Sequence, residues 1–411
     1  MPEFLELLPP AEALALLLKH LPPPGPKIEI VNLTDALGRT SAQPIYSSEP
    51  LPAFSRSAVD GFAVRARDTF GASESLPAYL TLVGEVPMGS APGFLLNPGQ
   101  AALIHTGGML PEGADAVVML EYTQYSRPGE VEILRAAAPG ENVLFAGEDV
   151  QSGEEVLAGG VRLRPAEIGG LAALGILEVP VTAPPRVGIL SSGDEVIPPE
   201  QTPAPGQVRD VNSYTLSALA AASGARPQRY GIVPDNPEAL NQNLRQALDE
   251  NDLVVITAGS SASTRDFTAE IISRAGKPGV LVHGVNVKPG KPTILAVCDG
   301  KAVIGLPGNP VSALVIARLF VVPVIEHYLG ISVSRPRPAI QARLAVNVPS
   351  QAGREDYLPV RLIHQEGTWM AEPIFYKSNL IFTLARADGL LKIPADATGV
   401  EAGSLVSVEI L

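Results

Sequence analysis

Apolar positions along this chain fall into two textures. Between Pro184 and about Gly330 they come as short unbroken runs, alternating with longer segments where they recur every three or four residues. Residues 186–190 read as a buried strand, 213–222 as a helix stopped by Gly224, and 229–233 as a second strand. A helix over 237–249, a strand over 252–257 and a helix over 266–275 follow. Strands near 280–287, 293–297 and 302–306 lead to a long closing helix over 311–329. Short Val/Ile/Leu strands alternating with helices predict a mostly parallel sheet covered on both faces. In such a sheet ligands bind outside the carboxyl ends of the strands.

The flanks differ. Residues 75–135 carry alternating apolar stretches (79–83, 101–104, 116–119, 131–134) cut by Pro/Gly turns, the texture of a small β domain. That texture returns over 335–411, at 340–346, 358–362 and 405–410. Residues 1–47 and 140–180 share an extended and helical character, as one element interrupted by an insert. A multidomain α/β plus β fold follows. Its expected parts are a composite N-terminal domain (1–47 with 140–180), an inserted β domain (48–139), an αβα domain (181–331) and a C-terminal β domain (332–411).

Composition narrows the chemistry. The chain has 411 residues, 46% hydrophobic and 18% charged, so it is globular, with room for several cores. Cys298 is the only cysteine, which excludes an internal disulfide or a cysteine zinc cluster and suits a reducing, cytoplasmic setting. A net charge of −13 argues against nucleic acid, whose phosphates demand a basic face. No basic segment followed by a long apolar run opens the chain, and the apolar stretch 14–21 is broken by Lys19 and His20. It reads as an amphipathic helix packed on its own protein, and no membrane contact is expected.

Polar clusters stand just past the predicted strand ends: Ser191-Ser192-Gly193-Asp194-Glu195, Asp235, the loop Thr257 to Asp266 with Gly259 and Ser261, Lys288 to Lys291, and Pro307-Gly308-Asn309. They should converge on one rim. In Lys288-Pro-Gly-Lys291-Pro292, two prolines and a glycine fix a short loop that projects two lysines. In Gly305-Leu-Pro-Gly-Asn309-Pro310, Asn309 is a good N-cap and Pro310 a good first helical residue. A helix N-terminus offers free N–H groups and partial positive charge. Paired lysines facing such a turn predict a small anionic, phosphate-like ligand.

These motifs occur in a telling order. Ser57-Ala-Val-Asp-Gly-Phe-Ala63, Thr106-Gly-Gly-Met-Leu-Pro-Glu-Gly-Ala-Asp-Ala-Val-Val118 and Gly147-Glu-Asp-Val150 precede Ser191–Glu195. Lys288–Pro292, Gly305-Leu-Pro-Gly-Asn-Pro-Val-Ser-Ala313 and Ala387-Asp-Gly-Leu390 follow it. Over nearly its whole length the chain resembles the molybdopterin molybdenumtransferase family, which includes gephyrin-type E domains. The resemblance implies a three-layer αβα molybdopterin-binding domain, an inserted β domain, an extended composite domain and a C-terminal β-barrel. It implies a homodimer whose cleft joins the αβα domain of one subunit to the inserted domain of the other. The implied reaction turns adenylylated molybdopterin and molybdate, with a divalent cation assisting, into molybdenum cofactor and AMP. Mg2+ wants hard oxygen ligands and keeps several waters, so Asp235 and Asp266, each just past a strand, are the candidates to hold it or to activate water. The resemblance also implies cleft roles for Asp60, Thr106, Asp149, Glu195 and Lys288, and molybdate contacts at Lys291, Pro292, Ser312, Arg354 and Ser378.

Two positions depart from the family pattern. Ala258 stands in the Thr257–Asp266 loop where members often carry a paired glycine, and Gly284 where some carry a lysine. Two other readings compete with the insertase. The adenylyltransferase that precedes it in the pathway, itself a possible contact partner, shares the αβα domain but needs neither flanking β domain. A non-catalytic cofactor-binding scaffold would not need an intact carboxylate set.

Overall fold

The computed structural model describes residues 7–24, 27–258, 262–333, 336–365, 367–375 and 377–411, and the backbone alone at Ala258 and over 262–266. At its centre is a six-stranded sheet. In spatial order its strands are Arg226–Val233, Arg186–Ser192, Leu253–Ala258, Lys301–Pro307, Ile294–Cys298 and Pro278–His283. The first four are parallel. The remaining two pairings are antiparallel. The reversal is local in origin: Asp299 and Gly300, with φ of 50° and 83°, make a two-residue turn pairing Cys298 with Lys301. So short a turn can join only antiparallel strands.

Side-chain alternation builds both faces. Leu253 and Val255 join Val187, Ile189 and Ile304 on one side, against Ala13, Leu17, Leu216, Ile316 and Phe320. Val254 and Ile256 join Leu190 and Val303 on the other, against Leu240, Leu244 and Ile272. The first face takes in helix Pro10–His20, the amphipathic element expected near the N-terminus. It also takes in the run Pro310–Tyr328, which is long and apolar enough, by length and composition, to cross a bilayer. Ala313, Ile316, Ala317, Phe320 and Val324 are fully buried against the sheet, which accounts for that apolarity. The run widens to a π turn over Ala317–Val321 just before Pro323, where a helical N–H is missing.

Three further units surround this sheet. In one, Ile28–Asn32 pairs with Glu178–Thr182 and Ile45–Tyr46 with Glu155–Leu157, over a core of Leu33, Leu157, Leu163 and Val179. A second sheet orders Ala116–Met119, Gly61–Val64, Gln100–Ile104, Ala78–Glu85, Glu130–Ile133 and Thr123–Arg127. Its Gly61–Val64 strand is too short and too glycine-led to read from periodicity, yet it is wholly buried. A Cβ on Gly61 would lie 2.0 Å from the Val118 carbonyl oxygen, so only glycine lets these strands approach. The third unit is a closed five-stranded barrel of Glu355–Gln365, Thr368–Pro373, Ala339–Leu344, Leu405–Ile410 and Gly389–Ile393, filled by Leu344, Val360, Ala371, Ile393 and Val408.

One expected strand divides in two. Residues 280–287 do not run on together: Pro278–His283 stays in the central sheet, while Val287–Lys288 leaves it to pair in parallel with Glu355–Asp356 of the barrel unit. Gly284, at φ 106°, turns the chain between them.

Cys298 ends the Ile294–Cys298 strand, its Sγ 3.4 Å from the Ile272 carbonyl oxygen. Burial pushes the thiol up to about 11, so it stays protonated at neutral and mildly alkaline pH. The folded protein should give no reaction with an aromatic disulfide reagent at pH 8 and one thiol per chain in guanidinium. Labelling of the native state at the rate of a free thiol would contradict this packing.

Candidate functional site: two cavities meeting at one turn

Strand Lys301–Pro307 delivers the chain to the carboxyl rim of the sheet, and the helix beginning at Pro310 leads it away. Gly308 and Asn309 lie between. The Asn309 carbonyl accepts the helix's first bond, from the Ala313 N–H at 2.9 Å. Its side chain, expected to cap the helix, makes no cap bond. Instead Asn309 Nδ2 donates to Ser378 Oγ at 3.0 Å, and the Val311 N–H donates to the Ser378 carbonyl at 3.1 Å. The carboxamide is drawn across to the C-terminal unit, a partner that local sequence does not reveal. On the other flank Asn212 Nδ2 donates to the Gly308 carbonyl at 2.8 Å.

A cavity of about 520 Å³ opens on the Asn212 side, walled by Ser191, Ser192, Glu195, Arg209, Asp210, Asn212, Thr257, Gly308 and Asn309. Gly193, at φ 145°, shapes its edge: a Cβ there would lie 2.9 Å from Glu195 Oε2. Ser192 Oγ donates to Asp235 Oδ1 at 2.8 Å, and the Asp235 N–H donates to Asp194 Oδ1 at 3.1 Å. Asp235 thus stands behind Ser192 and does not itself line the cavity. Asp210 Oδ1 accepts the Ser213 N–H at 3.1 Å, fixing the start of helix Asn212–Ala222. The helix expected over 266–275 begins earlier, at Ala262. The Asp266 side chain lies outside the described residues, as do Gly259 and Ser261.

The second cavity, about 500 Å³, shares Asn309 with the first and opens on the Ser378 side. Lys288, Lys291, Pro292, Pro307, Ser312, Asp356 and Ser378 line it, facing Val348, Leu358, Phe375 and Ile393. Gly290 makes this loop possible. Its φ is 111°, and a Cβ would sit 2.3 Å from Ile316 Cγ1, so the loop lies flat on the helix. Lys288 Nζ is 3.9 Å from Asp356 Oδ2, while Arg354 Nε donates to Asp356 Oδ1 at 2.8 Å. Arg354 therefore backs the buried Asp356 and is not part of the cavity wall. Two lysines and an arginine against one carboxylate leave the place positively biased within an acidic chain.

Asp60, Thr106 and Asp149 line neither cavity. Asp60 Oδ1 accepts from the Thr106 N–H at 2.8 Å and the Thr106 hydroxyl at 3.2 Å, with His105 Nδ1 3.6 Å away. These contacts, the Thr106 N–H first, hold its carboxyl below the usual carboxylate range. Asp149 sits in a turn, its N–H donating to the Leu51 carbonyl at 3.0 Å. Asp115 is a turn residue as well, its Oδ1 accepting the Ala66 N–H at 2.6 Å. Among the described residues no three His, Cys, Asp or Glu side chains gather into a metal cage.

Sequence reasoning missed Asn212, Asp356 and Phe375. Asn212 had a local signal, an amide opening a helix just past a strand-end cluster. The other two are recognisable only once the barrel is docked.

Comparison with known proteins accounts for the whole arrangement. Residues 8–175 match the MoeA N-terminal region (domain I and II), 188–327 a probable molybdopterin binding domain, and 341–411 the MoeA C-terminal region (domain IV). The molybdopterin molybdenumtransferase of a Nostoc species is 35% identical over 92% of this chain and 88% of its own. The chain belongs to the molybdopterin molybdenumtransferase family. That of Bacillus subtilis is 34% identical over 92% of this chain and 89% of its own. A crystal structure of a Pyrococcus horikoshii OT3 molybdopterin biosynthesis moeA protein superposes with a TM-score of 0.85 at 33% identity, covering 99% of this chain and all of that one. In this member of the molybdopterin molybdenumtransferase family, the second cavity lies between the regions matched at 188–327 and 341–411.

Gly290→Ala should displace the lysine loop from Ile316 and lower stability by about 1–3 kcal/mol, read as a reduced melting temperature. An unchanged melting temperature would show that the loop does not press on the helix.

Proposed function

We propose that this protein inserts molybdenum from molybdate into adenylylated molybdopterin and releases AMP. The observation that carries this reading is the pair of cavities joined at Gly308–Asn309, one of them positively biased. The substrate is itself bipartite, a nucleotide joined through a phosphoanhydride to a sulfur-bearing pterin, and its second reactant is a dianion. Lys288 and Lys291 supply charge for the oxyanion, with Ser312, Ser378 and Pro292 beside them. Arg354 acts through Asp356, holding that carboxylate so that it does not neutralise both lysines. Ser191, Ser192, Thr257 and Gly308, with Gly193 at their edge, are assigned to the nucleotide half; Gly259 and Ser261 are assigned there from the sequence alone, and Pro307 to the cavity beside it.

Cleaving a phosphoanhydride is mostly positioning and charge neutralisation. The fit for Mg2+ rests on hard oxygen donors: the Ser192 hydroxyl on the first cavity's wall and the Asp235 carboxylate bonded behind it, with Asp266 proposed as a second carboxylate from the sequence pattern. One or two carboxylates with substrate phosphates suit that ion, whose chemistry there is to offset charge on the bridging and leaving oxygens. Glu195, facing the same cavity, orients water. Asp60, Thr106 and Asp149 enter from a second copy of the chain, which makes the working unit a homodimer. A cytoplasmic setting and contact with the upstream adenylyltransferase complete the proposal. Its domain limits are 1–47 with 140–180, 48–139, 181–331 and 332–411, with helix Pro10–His20 lending its apolar face to the αβα core.

The test is AMP release from adenylylated molybdopterin with molybdate and Mg2+, followed by activation of an apo-molybdoenzyme. No AMP with any divalent metal would overturn the reading. Formation of the adenylyl ligand from ATP would favour the adenylyltransferase. Lys288→Ala should weaken molybdate binding roughly ten- to hundredfold, the worth of a charge-assisted contact. Its melting temperature should hold, because the Lys288 side chain is itself exposed and the buried Asp356 keeps its bond to Arg354. Unchanged affinity would exclude Lys288 from the anion site. Asp266→Asn should abolish turnover and leave folding intact; wild-type turnover would refute its role.

A further inference from the structure

The second cavity is far larger than the anion assigned to it. A tetrahedral oxyanion of four oxygens leaves most of its approximately 500 Å³ unfilled. The rest is not shaped for charge. Val348, Leu358, Phe375 and Ile393, all from the C-terminal unit, form the apolar part of its wall. Ile393 and Val348, only 1% and 5% exposed, belong to the packed barrel core, whereas Phe375 is 63% exposed. An uncovered aromatic ring on a packed support, in the same cavity as paired cations, is how a protein holds a flat ligand with an anionic end.

We propose that this wall, with Phe375 as its platform, is the seat of the fused-ring body of molybdopterin. The inference rests on the functional reading above and assigns that substrate's organic half to the barrel. Substrate geometry supports it. The two sulfurs that take up molybdenum are borne on a ring fused to the pterin, so with the oxyanion at Lys291 and Ser312 the rings lie within a ring's width of it. The phosphate arm leaves the same ring system and crosses Gly308–Asn309 toward the first cavity. Phe375 is also held in register with the anion site. It lies three residues before Ser378, whose hydroxyl and carbonyl are bonded to Asn309 and Val311.

The test compares wild type, Phe375→Ala and Phe375→Trp. Phe375→Ala should raise the KM for adenylylated molybdopterin about five- to tenfold, while the KM for molybdate and the Kd for AMP stay within about twofold. Phe375→Trp should restore pterin affinity, and all three should melt alike because the ring is exposed. Pterin fluorescence gives a second reading: wild type should quench it on binding and Phe375→Ala should not. An unaltered pterin KM in Phe375→Ala, or an equal rise in the molybdate KM, would overturn the assignment. If wild type releases no AMP, the functional reading fails on its own, and the fluorescence titration still decides whether a pterin sits on Phe375.

Discussion

Val287 and Lys288 leave the central sheet and pair in parallel with Glu355 and Asp356, and the second cavity depends on that short ladder. Without it the lysine loop would lose its direct tie to the barrel. Three further contacts hold the same seam. Val311 and Val315 of the core helix pack on Leu384 and Leu390, Arg318 reaches Glu409 and the Ile410 carbonyl, and Ser378 clamps Asn309. Burying each aliphatic side chain there contributes roughly 1.5–3 kcal/mol, more than the polar contacts beside it. The seam is therefore firm, and a site built across it can be precise.

The seam also resolves an electrostatic difficulty. A chain of net charge −13 repels a dianion at long range. At short range the outcome is set by what lines the cavity, since exposed charges beyond roughly 8–10 Å are largely screened. Lys288 and Lys291 are brought to the N-terminal end of an apolar helix by a glycine that only a bare Cα could replace. The nearest carboxylate, Asp356, is engaged by Arg354. Attraction at this cavity is thus local, which favours a small multiply charged ligand over an extended polyanion.

Much of this was legible before any coordinates. The inner strands of the central sheet carry Val/Ile/Leu runs because both their faces are buried, and the helix at Pro310 is announced by its proline. Of the clusters placed after strand ends, Ser191, Ser192, Glu195, Thr257, Gly308 and Asn309 meet around one cavity, while the lysine loop lines the other. The failures share a cause. Reading residues 280–287 as one strand ignored that a glycine can send half of it to another sheet. Capping by Asn309 was inferred from its neighbours in sequence, whereas its partner is Ser378, 69 residues away. Asp356 and Phe375 carry no local signal, being ordinary barrel residues until a second unit docks beside them. Asp60 and Thr106 were legible as motif positions, and their mutual hydrogen bonds are clear in the fold.

The central claim is that one oxyanion seat lies between the αβα layer and the barrel, beside the turn that joins the two cavities. Tungstate, a heavy analogue of molybdate, tests it directly through anomalous diffraction from crystals soaked with it. The account predicts a tungsten peak within contact distance of Lys291, Ser312 and Ser378. A peak at the amino end of the sheet, or none between the lysine loop and the barrel at a concentration that saturates binding in solution, would contradict it.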